Sequence, residues 1–465
     1  MNNILEFNFD YYTMFYNTEN SKNLCIPNDY LYLKEQYFFQ NNFFEKRESN
    51  HLFPTITICL NITSNCNLKC SYCFNKNKRN VSLKFNDAKI FIDKIIENNK
   101  KARRFVIDLS GSGEPLLELN LIISIADYAL LLSDKLGKEV LVSFICNGTL
   151  LSSEIANILQ KKKVLFGISL DGLKIFHDKR RVFCDGKGSF DKIMNNFQAI
   201  ENKMFIGAGM TFVPEDYPPI FDSYLFLNKY FETFSCRVAR GEPFCKETFT
   251  YVTNEYNKLC DYLIEIIHKE KSLTLLSKII NGDDYFGRYI IKAICDANID
   301  SRCDAGIARF SLGSDKNVYI CSASVENERL CLGNIESFVN NMDKTFSSAA
   351  QCRNCSYLHI CGGECKVILD NNNGKVDKYM CLFKQHLFKL SLKLCGAIYL
   401  FSSSLYDELV YIVEKILNRA FGDERLYTLF DSLKGIYSFT ELKEIKDTKP
   451  LMFEELYKQY IFDVK

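Results

Sequence analysis

The sequence predicts an α/β protein with an open, partial (βα)6 barrel, a short N-terminal extension and a cysteine-rich C-terminal region. Two observations predict this fold. Apolar, β-branched runs alternate with stretches of helical periodicity through the middle of the chain, and cysteine is unusually frequent, at 20 of 465 residues. Six strand–helix repeats are too few for a closed eight-stranded barrel, so we expect the barrel to stay open.

The six predicted strands are short apolar runs, and helical patterns separate them. The strands are residues 55–62, 104–109, 139–145, 164–170, 203–213 and 233–239. The helical stretches include residues 87–100, 121–137 and 189–202. Since parallel α/β architectures place ligand sites at the carboxyl ends of their strands, the loops after these strands are the expected functional site.

We predict five segments along the chain. They are an N-terminal extension with a possible hairpin (1–52), the barrel (53–250), a helical bridge (251–300), a cysteine-rich domain (301–395) and a helical C-terminal tail (396–465).

Charge and cysteine usage restrict the class of protein. The formal net charge is +1, so nothing indicates a polyanion or a membrane surface as partner. The first residues show no basic region followed by an apolar run, and we find no stretch of 18 apolar residues. We therefore expect a cytoplasmic protein that binds neither nucleic acid nor membrane. Clustered cysteines in a reducing compartment are more often metal ligands than disulfides.

The segment NCNLKCSYCF places Cys66, Cys70 and Cys73 in a CxxxCxxC spacing just after the first barrel strand. Cysteines at such gaps suit iron–sulfur or zinc sites. Three ligands leave one iron of a cluster open to another molecule, whereas a closed structural site needs four. A zinc loop with a distant fourth ligand, or three unrelated cysteines, are the alternatives.

The segment NCNLKCSYCF resembles the cluster loop of the radical SAM superfamily. Four further segments follow successive strands in the order found in that superfamily. The resemblance implies that the open iron of a [4Fe–4S] cluster chelates S-adenosylmethionine, and that one electron releases a 5′-deoxyadenosyl radical that can remove hydrogen from carbon. It also implies these cofactor-binding residues: Tyr72 beside the ligands; Ser112, Gly113 and Glu114 in GSGEP, with Ser112 in place of the usual glycine; Asn147 in CNGT; Ser169 and Asp171 in SLDG; and Arg181 in HDKRR, which precedes GKGSFD. Singly, Glu114, Ser169 and Arg181 could instead be an exposed carboxylate, a strand-end cap and a solvated charge.

The second group of cysteines, CRNCSYLHICGGEC at 352–365, resembles the SPASM extension of radical SAM enzymes that modify peptides and proteins. That resemblance implies two auxiliary [4Fe–4S] clusters. Their ligands would be Cys303, Cys321 and Cys365, with Cys295 as a candidate fourth, for the first cluster, and Cys352, Cys355, Cys361 and Cys381 for the second. The spacing alone also suits zinc, because thiolate sites accept both metals. Lys316 stands where relatives often have glycine, so we expect Gly313 or Asn317 to supply that turn.

Fold and cofactor do not fix the substrate. We predict a peptide maturase that modifies a ribosomally made precursor peptide by a thioether or carbon–carbon crosslink, or by epimerisation. Residues 4–40 could bind an extended leader by edge pairing, and a flavodoxin or ferredoxin would supply electrons. An anaerobic sulfatase-maturing enzyme, which forms formylglycine, is the first alternative. Such enzymes carry an aspartate after the second upstream SPASM cysteine, where this chain has Ser322. A non-catalytic iron–sulfur scaffold is the second alternative.

Overall fold

The computed structural model describes residues 4–18, 22–40, 55–75, 81–294, 303–338, 349–421, 437–449 and 451–453. These residues form two compact units. One unit combines residues 1–51, 257–299 and 385–465, and the other combines residues 52–256 and 300–384. The predicted segments 251–300 and 301–395 are each divided between the two units, and the five segments as separate domains stay a prediction.

The secondary structure confirms the predicted alternation. The strands are β1 (Ile4–Asn8), β2 (Tyr12–Asn17), β3 (Asn23–Pro27), β4 (Thr55–Leu60), β5 (Arg104–Asp108), β6 (Glu139–Cys146), β7 (Leu165–Ser169), β8 (Gly207–Phe212), β9 (Phe234–Val238), β10 (Arg309–Leu312), β11 (Asn317–Tyr319) and β12 (Cys331–Asn334). The helices are α1 (Lys34–Gln40), α2 (Phe85–Asn98), α3 (Leu119–Leu136), α4 (Ser153–Lys161), α5 (Lys174–Arg180), α6 (Phe190–Ala199), α7 (Ile220–Tyr230), α8 (Lys246–Glu270), α9 (Thr274–Asn281), α10 (Tyr285–Ile294), α11 (Leu358–Cys361), α12 (Lys366–Asn371), α13 (Lys378–Phe401), α14 (Ser403–Phe421) and α15 (Phe439–Thr448).

The barrel unit is built on one sheet with strand order β12-β11-β10-β4-β5-β6-β7-β8-β9. The six strands from β4 to β9 are parallel and follow chain order, as the partial (βα)6 barrel requires. Every predicted barrel strand is present within a few residues of its expected bounds. The sheet is larger than predicted, because β10 from the cysteine-rich region pairs in parallel with β4.

Side chains alternate between the two faces of the barrel strands. On β5 and β6, the buried residues Phe105, Ile107, Val142 and Phe144 form one apolar face. The residues between them are less buried and include Asp108. The parallel order brings the loops after the six strands to one edge of the sheet, where the motifs lie.

The turn between β10 and β11 differs from the expectation. Neither Gly313 nor Asn317 adopts a left-handed backbone; Lys316 does, with φ of 65°. The amide of Gly313 donates to the Asn317 carbonyl at 2.9 Å, which closes the hairpin around this residue. The Lys316 ammonium also lies 3.0 Å from Asp87 Oδ1. The hairpin hydrogen bond and the pair with Asp87 thus accompany a left-handed backbone at Lys316, a conformation that usually favours glycine.

The other unit contains the predicted N-terminal hairpin, extended by a third strand into the antiparallel sheet β1-β2-β3. Every residue of β2 is buried. Phe15 packs with Ile26 of β3 and Phe38 of α1, whereas Tyr16 packs edge-on against Phe388 of α13. Phe7 also contacts Phe388. Both faces of the small sheet are therefore covered, so only its edges could pair with a further extended segment.

One helical stretch of the described chain, Pro115–Leu136, is long and apolar enough by length and composition to cross a membrane. It contains α3, which packs on β6 of the barrel with Ile122, Ile125 and Ala129 buried. A core helix of an α/β protein passes the same test, so this feature is weak evidence of a membrane span.

Candidate active site

The loop after β4 carries Cys66, Cys70 and Cys73, and the three thiols are partly exposed. The backbone of this loop is fixed by the segment after α5. The amide of Lys69 donates to the carbonyl of Val182 at 2.8 Å. The loop is thus held at one side while its thiols stay accessible to a ligand.

The motif predicts that these three thiols hold a cluster. Burial raises the pKa of Cys70, Arg181 lowers it, and the neighbouring Cys73 and Cys66 raise it again. Among the described residues, no group of three or more His, Cys, Asp or Glu side chains is arranged to hold one metal ion. A cubane cluster offers a separate iron to each thiolate, so three ligands on one loop need not meet at a point.

The loop after β5 packs directly on the cluster loop. An added Cβ at Gly113 would lie 2.4 Å from the Asn65 carbonyl oxygen and 2.5 Å from that of Thr63, so only glycine allows this approach. The amide of Glu114 donates to the Asn65 carbonyl at 2.8 Å. The Ser112 hydroxyl lies 3.4 Å from the Thr63 carbonyl, so serine is accommodated where relatives have glycine.

Glu114 is only 2% exposed. Its Oε2 accepts the amide of Asn147 at 2.7 Å, and its Oε1 accepts the amide of Leu116 at 3.2 Å. Burial raises the pKa of Glu114 to about 7, although both hydrogen bonds and Arg181 oppose the rise. Above about pH 7 this buried carboxylate is ionised, and it can then accept a hydrogen bond strongly from an amino group that enters the site.

Asn147, in the turn after β6, ties that turn to the cluster loop. Its Nδ2 donates to Asn67 Oδ1 at 2.7 Å and lies 3.9 Å from the sulfur of Cys66. Its Oδ1 accepts both the amide and the hydroxyl of Thr149. The side chain is therefore fully engaged in holding the turn, and Asn67 and Thr149 are partners that the motif analysis did not identify.

Arg181 lies beside the cluster loop. Its Nε donates to Asp171 Oδ2 at 2.9 Å, and its Nη1 lies 3.8 Å from the sulfur of Cys70. The guanidinium also stands 5.4 Å from the ring centre of Tyr72, whose hydroxyl bonds to Asp171. Four predicted site residues thus meet at one place, with a fixed cation close to a predicted cluster ligand.

Ser169 lies at the carboxyl end of β7, partly buried and in register with Gly209 of β8. It is on the same sheet edge as Asp171. The predicted cofactor residues from β4, β5, β6 and β7 therefore all follow the carboxyl ends of adjacent strands, as parallel α/β sheets arrange their sites.

The HDKRR segment (177–181) and the GKGSFD segment (186–191) fold onto each other. Asp178 Oδ1 accepts the amide of Phe190 at 2.9 Å. An added Cβ at Gly188 would lie 2.2 Å from the Asp178 carboxyl carbon, so glycine makes room for this contact. His177 and Ser189 are buried in the same place.

The described ligands predicted for the first auxiliary cluster lie near one another. Cys303, Cys321 and Cys365 pack around one apolar core that includes Ala305 and Val367. Burial raises the pKa of Cys303, and Cys365 raises it further. Cys295 lies outside the described residues.

The second set is Cys352, Cys355, Cys361 and Cys381. Burial raises the pKa of Cys352, with further increases from Cys361 and Cys355, and burial raises that of Cys381 to about 11, with contributions from Cys361 and Cys352. Cys352 and Cys361 therefore lie near Cys381, and the ligation of a second auxiliary cluster by this set stays a prediction.

Two lysines accompany these sets, Lys366 partly buried and Lys384 buried, and sequence reasoning missed both. The Lys366 ammonium donates to the Ala305 carbonyl at 2.6 Å beside the first set. The Lys384 ammonium pairs with Glu364 at 2.9 Å beside the second, and both side chains are almost fully buried. Neither pattern has a local sequence signal, because each partner lies 20 or more residues away.

The chain is similar to several known proteins. Residues 60–222 match the Radical SAM superfamily. The chain is 26% identical over 364 residues to a cysteine-type anaerobic sulfatase-maturating enzyme of Clostridium novyi, covering 71% of this chain and 94% of that protein. It is 23% identical over 374 residues to the radical SAM cyclopropyl synthase TigE of Paramaledivibacter caminithermalis, covering 72% and 73%. The solved structure of native anSMEcpe with bound AdoMet shares the fold, with a TM-score of 0.55 at 20% identity over 75% of this chain and 99% of that one.

The chain belongs to the radical SAM superfamily. It is an enzyme that uses S-adenosylmethionine and a [4Fe–4S] cluster.

Proposed function

We propose that this enzyme is a peptide maturase, in which Cys66, Cys70 and Cys73 hold the cluster that cleaves S-adenosylmethionine. The 5′-deoxyadenosyl radical that the cofactor supplies would remove hydrogen from a ribosomally made precursor peptide. Glu114 would accept from the amino group of the cofactor's methionine part, and Arg181 would pair with its carboxylate. Glu114 and Arg181 carry this proposal, because a non-catalytic scaffold has no need of a buried carboxylate and a fixed guanidinium beside the cluster loop.

The C-terminal cysteines would hold two auxiliary clusters in the two sets described above. A flavodoxin or ferredoxin would reduce the enzyme. Ser322 favours peptide maturation over sulfatase maturation, since a hydroxyl replaces the carboxylate expected of a sulfatase-maturing enzyme at this position. The relatives named above support either reaction on a peptide or protein.

We propose that the N-terminal sheet binds an extended leader peptide at one of its edges. Both of its faces are covered, and within the described chain β1 and β3 each pair only with β2. The amide of Asn17 donates to Lys22, and that of Asn28 donates to Tyr11. Because hydrogen-bonded and non-bonded pairs alternate along an antiparallel ladder, the backbone amide of Cys25 points away from β2.

The same alternation applies to β1. The amide of Phe9 donates to the Tyr12 carbonyl at 2.9 Å, so the backbone of Glu6 points to the outer edge. Proline at an outward-facing edge position removes a donor without breaking the ladder to β2. Glu6→Pro and Cys25→Pro therefore test the two edges separately.

The first experiment is coexpression of the enzyme with each short peptide encoded beside its gene, followed by mass spectrometry of the peptide. A loss of hydrogen, or deuterium exchange at one α-carbon, is the expected result. A peptide that is modified then serves for the edge variants. One proline variant should lose most peptide modification and keep peptide-independent cleavage of S-adenosylmethionine, whereas Glu6→Ala and Cys25→Ala keep both activities. Full modification by both proline variants would contradict edge recognition.

Sulfatase maturation remains the second candidate, because the similarity to a sulfatase-maturating enzyme extends over 94% of that protein. A synthetic peptide that carries the reactive cysteine of a sulfatase is the probe. Formation of formylglycine in this peptide, with no change in any peptide encoded beside the gene, would overturn the maturase proposal in favour of this alternative.

A further inference from the structure

A buried hydrogen-bond relay connects the backbones of the two residues that form the ion pair beside the cluster loop. The amide of Asp171 donates to Nδ1 of His177 at 3.1 Å. Nε2 of His177 lies 2.9 Å from the hydroxyl of Ser189, and that hydroxyl donates to the Arg181 carbonyl at 2.8 Å. His177 and Ser189 are both 0% exposed.

The direction of every bond in the relay is fixed. Nδ1 of His177 accepts an amide hydrogen, so it carries no proton, and the neutral ring must carry its proton on Nε2. Nε2 therefore donates to the Ser189 oxygen, which leaves the serine hydrogen free to reach the Arg181 carbonyl. Burial lowers the pKa of His177 to about 4, so the ring remains neutral and the relay intact at physiological pH.

Ser189 shows that the relay displaces an ordinary local interaction. It occupies the N-cap position of α6, where serine normally accepts an amide of the first helical turn. Its side chain makes no such cap. The hydroxyl serves the relay instead, and Asp178 accepts the Phe190 amide at the start of this helix.

We propose that His177, acting through Ser189, is the positioning residue that sets the Arg181 guanidinium for the carboxylate of the bound cofactor. Asp171 is held from its other side, since Oδ1 accepts the amide of Thr211 at 2.9 Å. With both ends of the Asp171–Arg181 pair tied to one rigid ring, the guanidinium has its direction defined before the cofactor arrives. This inference rests on the proposed role of Arg181.

The test uses full-length protein with reconstituted clusters and measures binding of S-adenosylmethionine by equilibrium dialysis. Arg181→Met, His177→Phe and Ser189→Ala should each weaken binding, the last two by roughly 5- to 30-fold, consistent with loss of one or two buried hydrogen bonds. Iron content should not change. The double variant His177→Phe/Arg181→Met should bind no more weakly than Arg181→Met alone, because the relay acts only through this guanidinium.

Asp178→Asn is the matched control, since it weakens the hydrogen bond to the Phe190 amide in the same segment and leaves the relay atoms in place. It should lower the thermal midpoint without a comparable loss of affinity. Unchanged affinity in Arg181→Met would overturn the placement of the cofactor carboxylate. Weaker binding in Arg181→Met with unchanged affinity in Ser189→Ala, or additive losses in the double variant, would overturn the positioning role alone.

Discussion

Replacement of Glu114 by Gln tests the site at its most buried charge. The change keeps the size of the side chain and removes its negative charge. A charge-assisted hydrogen bond to the cofactor's amino group contributes about 1.5–3 kcal/mol. The variant should therefore bind S-adenosylmethionine roughly 10- to 140-fold more weakly than the wild type at pH 8, since about 1.4 kcal/mol corresponds to a factor of ten.

The raised pKa of Glu114, about 7, gives this prediction a pH dependence. Above pH 7 the carboxyl is ionised and accepts strongly; below pH 7 it is protonated and loses that advantage. At pH 6 roughly one tenth of the groups are ionised, and the protonated wild type should bind about as well as Glu114→Gln. The affinity ratio of wild type to Glu114→Gln should therefore shrink roughly five- to ninefold between pH 8 and pH 6. The amino group of the cofactor titrates equally with both proteins and cancels from the ratio.

Equilibrium dialysis at both pH values measures the ratio, with iron content as the control for intact clusters. A ratio near one at pH 8 would refute the placement of the methionine part at Glu114. A large ratio that does not change between pH 8 and pH 6 would refute the argument from burial while leaving the contact itself in place.

Three further predictions concern the metal, the backbone and the buried ion pair. Alanine at all three cluster-loop cysteines should remove about four of about twelve irons and abolish cofactor cleavage, as iron analysis can verify; zinc at the C-terminal cysteines would contradict the auxiliary clusters. Gly113→Ala should force the loop away from Asn65 and destabilise the fold by about 1–3 kcal/mol, whereas Gly209→Ala, with its nearest new contact at 3.8 Å, should cost less in thermal denaturation. Lys384→Met should strand the Glu364 carboxylate and destabilise by about 3–5 kcal/mol; a double change of Lys384 to Met and Glu364 to Gln should recover much of that loss in the same assay.

The barrel could be predicted from sequence because each of its strands is a local apolar run followed by a helical pattern. The cofactor motifs could be located for the same reason: Gly113 and Glu114 adjoin one strand end, and Asn147 adjoins the next. Local patterns, however, carry no information about which distant segment supplies a partner. The parallel pairing of β10 with β4 joins residues about 250 positions apart, and nothing in either segment specifies the other.

The same limit applies within the site. HDKRR and GKGSFD were recognised as markers for Arg181, yet their contact through His177 and Ser189 depends on how the intervening turn folds back. The turn at Lys316 shows that a local preference can also mislead. Residue preferences predicted the left-handed backbone at Gly313 or Asn317, whereas the structure has it at Lys316, whose ammonium pairs with the distant Asp87.

The pairing of β10 with β4 also bears on how the enzyme can be made and dissected. β4 directly precedes the cluster loop, and without β10 it would present a bare row of backbone donors and acceptors to other chains. A fragment that stops before residue 300 should therefore self-associate, even though it contains every motif for binding the cofactor. During synthesis, about 250 further residues must be made before β10 can pair with the outer edge of β4. The nascent barrel is therefore prone to aggregate until the cysteine-rich region has been translated.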